Sequence, residues 1–201
     1  MIVYAESNFL LELAYLQEEH ESCEEILALA ESGRIRLLLP AFAVVEARMS
    51  VLRQARRRVE FNNWLEQQVR ELARSKPYAG LAVKSRDVTS ALLGSGDEER
   101  RRLDQVVERV HRIAHILPTT GEILDRASTV EDELSLSPQD AVVYASVAHN
   151  LQQDPLPAKV FLNRNSKDFG SPDMESELAR GNCKLLGSFR AGRGFLVRSL
   201  S

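Results

Sequence analysis

Four strand-length runs, Ile2–Ala5, Ile35–Leu39, Lys159–Leu162 and Lys184–Leu186, are separated by long stretches whose apolar residues recur at helical spacing. Nothing else in the chain constrains its fold as much. Strands joined through helices cannot close as hairpins; they pair in parallel, and the helices cover both sheet faces. The runs are mostly apolar, which suits strands buried on both sides. The expectation is an α/β fold, a three-layer α/β/α sandwich with a central, mostly parallel sheet. At 201 residues the chain suits one domain, 1–201, carrying an extended helical insertion at about 53–118.

The helices have recognisable punctuation. Ser7-Asn8 supplies capping residues ahead of Phe9-Leu10-Leu11, and a second helix from about Glu21 to Ser32 stops at Gly33. From Phe42 onward Val44, Val45, Met49, Val51 and Leu52 keep helical spacing, leading through an arginine cluster toward Trp64, Val69 and Leu72. Lys76-Pro77 and Gly80 interrupt the pattern, and Gly94-Ser95-Gly96 reads as a breaker between helices. Leu103, Val106, Val107, Val110 and Ile113 predict a further helix ending before Pro118, followed by one from Gly121 to Leu134. Ser137-Pro138-Gln139-Asp140 is a well-formed helix start: Ser137 caps, Pro138 takes the first position and Asp140 lies in the first turn.

Composition narrows the class. Hydrophobic residues are 44% and charged residues 27%, ordinary for a globular protein. No apolar run reaches the roughly 20 residues that span a bilayer. Glu6, Glu12, Glu18 and Glu19 break the first apolar stretch, unlike a signal peptide. Cys23 and Cys183 show no metal spacing and suit reduced thiols, so a cytoplasmic protein with no membrane association is expected. A net charge of −3 argues against coating nucleic acid by bulk electrostatics. The charge is uneven, however: residues 1–50 hold nine acids against three bases, residues 51–76 seven bases against three acids, and the last eighteen residues four bases and no acid. The basic segments are either phosphate contacts beside an acidic metal site or a solvated helix face and a basic tail.

In parallel sheets, ligands sit beyond the carboxyl ends of the strands. Four acids fall near that edge. Glu6 directly follows the first strand, and Glu46 lies early in the helix after the second. Asp140 lies in the first turn of its helix, and Asp168 follows the run ending at Leu162. Each also has a structural explanation, such as the macrodipole for Asp140 or a turn for Asp168. Glu6 is the hardest to explain that way, since it lies between an apolar strand and an apolar helix. Carboxylates brought together would repel one another and raise their pKa values unless a cation neutralised them. Mg²⁺, which takes hard oxygen ligands, suits such a set.

Taken in order, these segments resemble the PIN-domain family of nucleases. Val3-Tyr4-Ala5-Glu6-Ser7-Asn8 followed by Phe9-Leu10-Leu11 is similar to its first motif, a strand running into Asp-Thr-Asn. Leu39-Pro40 with Val44-Val45-Glu46 resembles the second, and Leu136-Ser137-Pro138-Gln139-Asp140-Ala141 the third. Val160-Phe161-Leu162-Asn163-Arg164-Asn165-Ser166-Lys167-Asp168-Phe169 resembles the last, which often reads Thr-Arg-Asn or Thr-Arg-Asp before Asp-Phe. Glu6 stands for the usual Asp, Ser7 for Thr, Asn163 for Thr, and Asn165 at a site often held by Asp. The fourth ligand is therefore Asp168 or, less favoured, Asp173, or the site holds three carboxylates.

The resemblance implies a metal-dependent endoribonuclease hydrolysing RNA phosphodiesters with Mg²⁺ or Mn²⁺ held by Glu6, Glu46, Asp140 and Asp168. Ser7, Asn163, Arg164 and Asn165 would contact nucleic acid, as would the cluster Arg53, Arg56, Arg57 and Arg58. It also implies a toxin paired with an antitoxin protein, and a homodimer. A catalytically silent nucleic-acid-binding or regulatory module is the alternative, and a structure-specific DNA nuclease is a third reading.

Overall fold

The computed structural model describes residues 1–80, 85–153, 157–164 and 172–200; the side chains of Pro172 and Asp173 lie outside that set. Five strands form one parallel sheet: β1 (Ile2–Ala5), β2 (Arg36–Pro40), β3 (His115–Leu117), β4 (Lys159–Leu162) and β5 (Cys183–Leu186), in the order β3-β2-β1-β4-β5. The helices among the described residues are α1 (Ser7–Tyr15), α2 (His20–Glu31), α3 (Ala41–Ala73), α4 (Arg86–Ile113), α5 (Gly121–Leu134), α6 (Pro138–Gln153), α7 (Pro172–Arg180) and α8 (Phe189–Leu200). The three-layer α/β/α architecture expected from the strand–helix alternation is what the chain adopts.

Side-chain alternation along the strands divides the core. Val3, Ala5, Leu37, Leu39, Val160 and Leu162 point to one face and pack with α1, α2, α8 and parts of α3 and α4. Ile2, Tyr4, Leu38 and Phe161 point to the other and meet α5, α6 and α7. β1 is the central strand, with β2 on one side and β4 on the other, pairing Ile2 with Arg36 and Lys159, and Tyr4 with Leu38 and Phe161. The chain thus winds outward in both directions from β1. The carboxyl ends of β1 and β4 flank a topological switch point, where α/β sheets leave a crevice.

Three features differ from the sequence expectation. β3 was not anticipated; its three residues are too few to show a period, and they follow directly on a strongly helical pattern. His115, expected to share a helix with His111, lies on this strand. Gly94-Ser95-Gly96 does not break a helix but lies inside α4. There α4 runs close against α3, and a Cβ on Gly96 would lie 3.2 Å from the Ala55 Cβ, so a small residue is what the crossing admits. The basic tail forms α8, which buries Phe189, Gly192 and Leu196. Lys76–Tyr78 make a short 3₁₀ turn beyond α3. Among the described residues no helix is long and apolar enough to cross a membrane. Cys23 and Cys183 are unpaired and buried.

Candidate active site

β1 hands its last residue directly to α1, and the junction is built on Glu6. Its backbone is extended and it serves as the N-cap of α1, with Oε2 accepting the backbone N–H of Asn8 at 3.0 Å. The Ser7 hydroxyl donates to the same oxygen at 3.0 Å. Asn8, expected to cap the helix, lies within it instead. The carboxylate reaches back to the helix N–H because an N-cap acceptor satisfies one of the unpaired donors of the first turn.

Glu6 is buried, with 5% of its surface exposed, and its other oxygen, Oε1, has no hydrogen-bond partner. A buried carboxylate oxygen left unpaired is costly, and such an atom calls for an explanation. Burial pushes the Glu6 carboxyl up to about 7, against opposing hydrogen bonds from Asn8 and Ser7; the charge of Glu46 adds to the rise.

Glu46 is on the second turn of α3, delivered to the same edge by β2. Burial raises its pKa, a hydrogen bond from Ser7 opposes the rise, Asp140 repulsion adds to it, and Arg53 opposes it. Asp140 is half-buried in the first turn of α6. Its N–H donates to the Ser137 Oγ at 3.2 Å and its Oδ2 accepts the Ser137 hydroxyl, confirming the cap read from Ser137-Pro138. The charge of Glu46 therefore acts on Glu6 and that of Asp140 on Glu46, with the Ser7 hydroxyl beside the first two carboxyls. Three acids far apart in sequence are thereby brought within electrostatic range, Glu6 of Glu46 and Glu46 of Asp140. Asp168 and Asn165 lie outside the described residues, and Asp173 is in the first turn of α7.

Asn163 follows β4 at the same edge; it is buried, and its N–H donates to the Leu186 carbonyl at 3.1 Å. Arg164 turns to the buried Glu12 of α1 and forms an ion pair with it. Glu12 also accepts the Glu19 N–H at 3.0 Å. Sequence reasoning missed this acid. The available signal was its place in the otherwise apolar run Phe9-Leu10-Leu11-Glu12-Leu13-Ala14, where a charge needs a partner. Of the arginine cluster, Arg58 is bound to Glu99 at 2.6 Å and Ser95 at 2.8 Å and serves the α3–α4 contact, whereas Arg53, Arg56 and Arg57 are exposed.

The donor set fits a hard divalent cation: two carboxyls whose pKa values burial and a neighbouring acid raise, a third acid beside them, and one orphaned oxygen. Among the described residues no three potential ligands are already closed on one point. The carboxylates converge without being a finished cage.

The profile of the PIN domain family matches residues 3–169. No curated protein matches the chain. Among solved structures, VapBC2 from Rickettsia felis bound to a DNA fragment from their promoter is similar over 92% of this chain and 98% of that one, with 11% identity and a TM-score of 0.48.

Proposed function

Because the chain belongs to the PIN-domain family, we propose that it is a divalent-metal-dependent nuclease that hydrolyses RNA at the cluster of Glu6, Glu46 and Asp140. The observation that carries this reading is the unpaired, buried Glu6 Oε1 beside two further acids at the switch point. Glu6, Glu46 and Asp140, with Asp168 as the fourth acid, would hold Mg²⁺ or Mn²⁺. That ion would supply Lewis acidity for water activation and for neutralising charge on the phosphate oxygens.

The chain's own groups prepare the cluster. Ser7 orients the Glu6 and Glu46 carboxyls, and the α1 N–H of Asn8 fixes Oε2 so that Oε1 is left for a ligand. Ser137 fixes Asp140. Asn163 and Asn165 are proposed to orient ligands or touch phosphate. The Arg164 guanidinium, paired to Glu12 but about a third exposed, would contact phosphate from the pocket it shares with Asn8 and Gln17.

Purified protein with Mn²⁺ or Mg²⁺ is expected to cleave RNA, and Asp140→Asn to abolish cleavage; equal cleavage by the variant refutes the assignment. The physiological role we attach to this activity is that of a toxin held by an antitoxin protein. Induced expression should then arrest growth, with Asp140→Asn relieving the arrest. The second reading, a silent nucleic-acid-binding or regulatory module, is favoured by the absence, among the described residues, of a closed ligand group. Calorimetric Mn²⁺ titration separates the two, because no binding at millimolar metal supports the silent module.

A further inference from the structure

α3 is about 50 Å long, at roughly 1.5 Å per residue, far longer than the sheet it crosses. Its buried apolar residues, Ala43, Val44, Ala47 and Val51, all lie in the first third. Beyond them α3 packs on α4 along one side, and two aromatic rings stand among the charged residues of its exposed face. Phe61 is 50% exposed and Trp64 56% exposed, and their rings lie 6.0 Å apart with a 33° tilt. Two large aromatic faces are thus kept in solvent side by side, which polar residues would normally replace.

Helical geometry relates these rings to the carboxylates. At about 100° per residue, Arg53, Arg57 and Trp64 fall within ~20° of Glu46 around the α3 axis, and Phe61 within ~60°. The face that presents Glu46 to the cluster therefore continues outward as Arg53 and Arg57, passes the exposed Glu60 at its border, and reaches the aromatic pair, with Trp64 about 27 Å along the axis. The link at the near end is direct, because the Arg53 charge acts on Glu46. The charges on this stripe are also unspent. Arg48 pairs with Asp104, Arg58 with Glu99, Arg70 with Glu66 and Arg74 with Glu71. Among the described residues Arg53, Arg56 and Arg57 form no ion pair, and they line an open groove with Met49, Leu52 and Glu60.

We propose that the stripe Arg53–Arg57–Phe61–Trp64 is a binding track for single-stranded RNA leading into the carboxylate cluster, the arginines taking phosphates and the two rings stacking unpaired bases. A polyanion is what unpaired exposed arginines attract, and base faces are what exposed rings stack on. A duplex keeps its bases stacked internally and offers the rings nothing. Val45, Met49, Leu52 and Val59 are exposed along the same helix, and a protein partner seated there is the outcome that the test below separates from RNA. The track rests on reading the cluster as a nuclease site, and what it adds is the path of the strand along α3.

Trp64 is the chain's single tryptophan, so its fluorescence reports on the track alone. The full-length protein is titrated in EDTA, which prevents cleavage, with a short oligouridylate and with duplex RNA of equal length. The single strand should quench Trp64 and the duplex should not. With labelled oligouridylate read by anisotropy, Phe61→Ala and Trp64→Ala should each weaken binding about tenfold. Arg53→Gln with Arg57→Gln should flatten the dependence of log affinity on log salt by about 1.4. Unchanged affinity in both ring variants overturns the track. So does a loss of self-association in those variants, measured by sedimentation, with RNA binding intact; that result would make the rings a protein-contact face. Cleavage by protein whose Trp64 is silent removes the track and leaves the nuclease reading. Quenching by protein that never cleaves in Mn²⁺ removes the nuclease reading and keeps the track.

Discussion

A single carboxyl group divides its two oxygens between folding and chemistry at Glu6. Oε2 caps α1, while Oε1 is buried with nothing to bond. The group is raised from an ordinary 4.5 to about 7, so between those values the folded protein holds a proton that the unfolded chain has lost. Stability without metal is then greatest near the acid end of that window, falls as pH rises through about 7, and levels off above. Glu6→Gln keeps the capping oxygen and removes the charge. It should stabilise the metal-free protein at pH 8 by about 3 kcal/mol, with the gain vanishing near pH 4.5. Denaturant melts at the two pH values measure this; a gain independent of pH contradicts it. Ser7→Ala should shift the pH profile of cleavage upward, since the lost hydroxyl favours the charged forms of Glu6 and Glu46. An unmoved profile would count against that role. The places of Glu6, Glu46 and Asp140 along their elements were legible in the sequence, because each follows a strand or lies near a helix start. The Glu12–Arg164 pair was not, since its partners come from α1 and the end of β4 and meet only through the β1–β4 pairing.

Elements were legible where their periodicity was long. The four runs anticipated as strands became β1, β2, β4 and β5 with edges moved by a residue or so, and the Ser137 cap and the stop at Gly33, with its φ of 71°, lie where read. Failures have local causes. Two glycines around a serine look like a breaker, but tertiary packing overrides propensity when a helix must approach another closely. At the Gly96–Ala55 crossing the pair tolerates no bulk. Gly96→Leu should force α4 away from α3 and cost about 1–3 kcal/mol in urea unfolding. A change near zero would show that the two helices separate freely there. The same crossing carries Arg58 and the buried Glu99, so Glu99→Ala should also destabilise by leaving the guanidinium without its partner.

At the scale of the whole molecule, the three acids come from elements on different sides of one sheet: Glu6 from the end of β1, Glu46 from α3 and Asp140 from α6. A cation shared by them would join the two halves of the core. Mn²⁺ should therefore raise the melting temperature of the entire domain, by an amount that grows with concentration. The rise should be larger at pH 8 than at pH 5.5, because Glu6 must lose its proton to bind. Calorimetric scans check this, and an equal shift in Glu6→Gln would place the metal elsewhere. The strand order itself was beyond the sequence. Alternation implied parallel pairing, yet nothing local states that β1 pairs with β4 across more than 150 residues of intervening chain.

That central position also sets a timetable. β1 leaves the ribosome first among the strands but gains its second neighbour only when β4 has been synthesised, after both long helices. Until then one edge of β1 is open, and the crevice between β1 and β4 does not exist. Contacts so distant along the chain form late and slowly. The crevice beside Glu6 is consequently incomplete until β4 has been made.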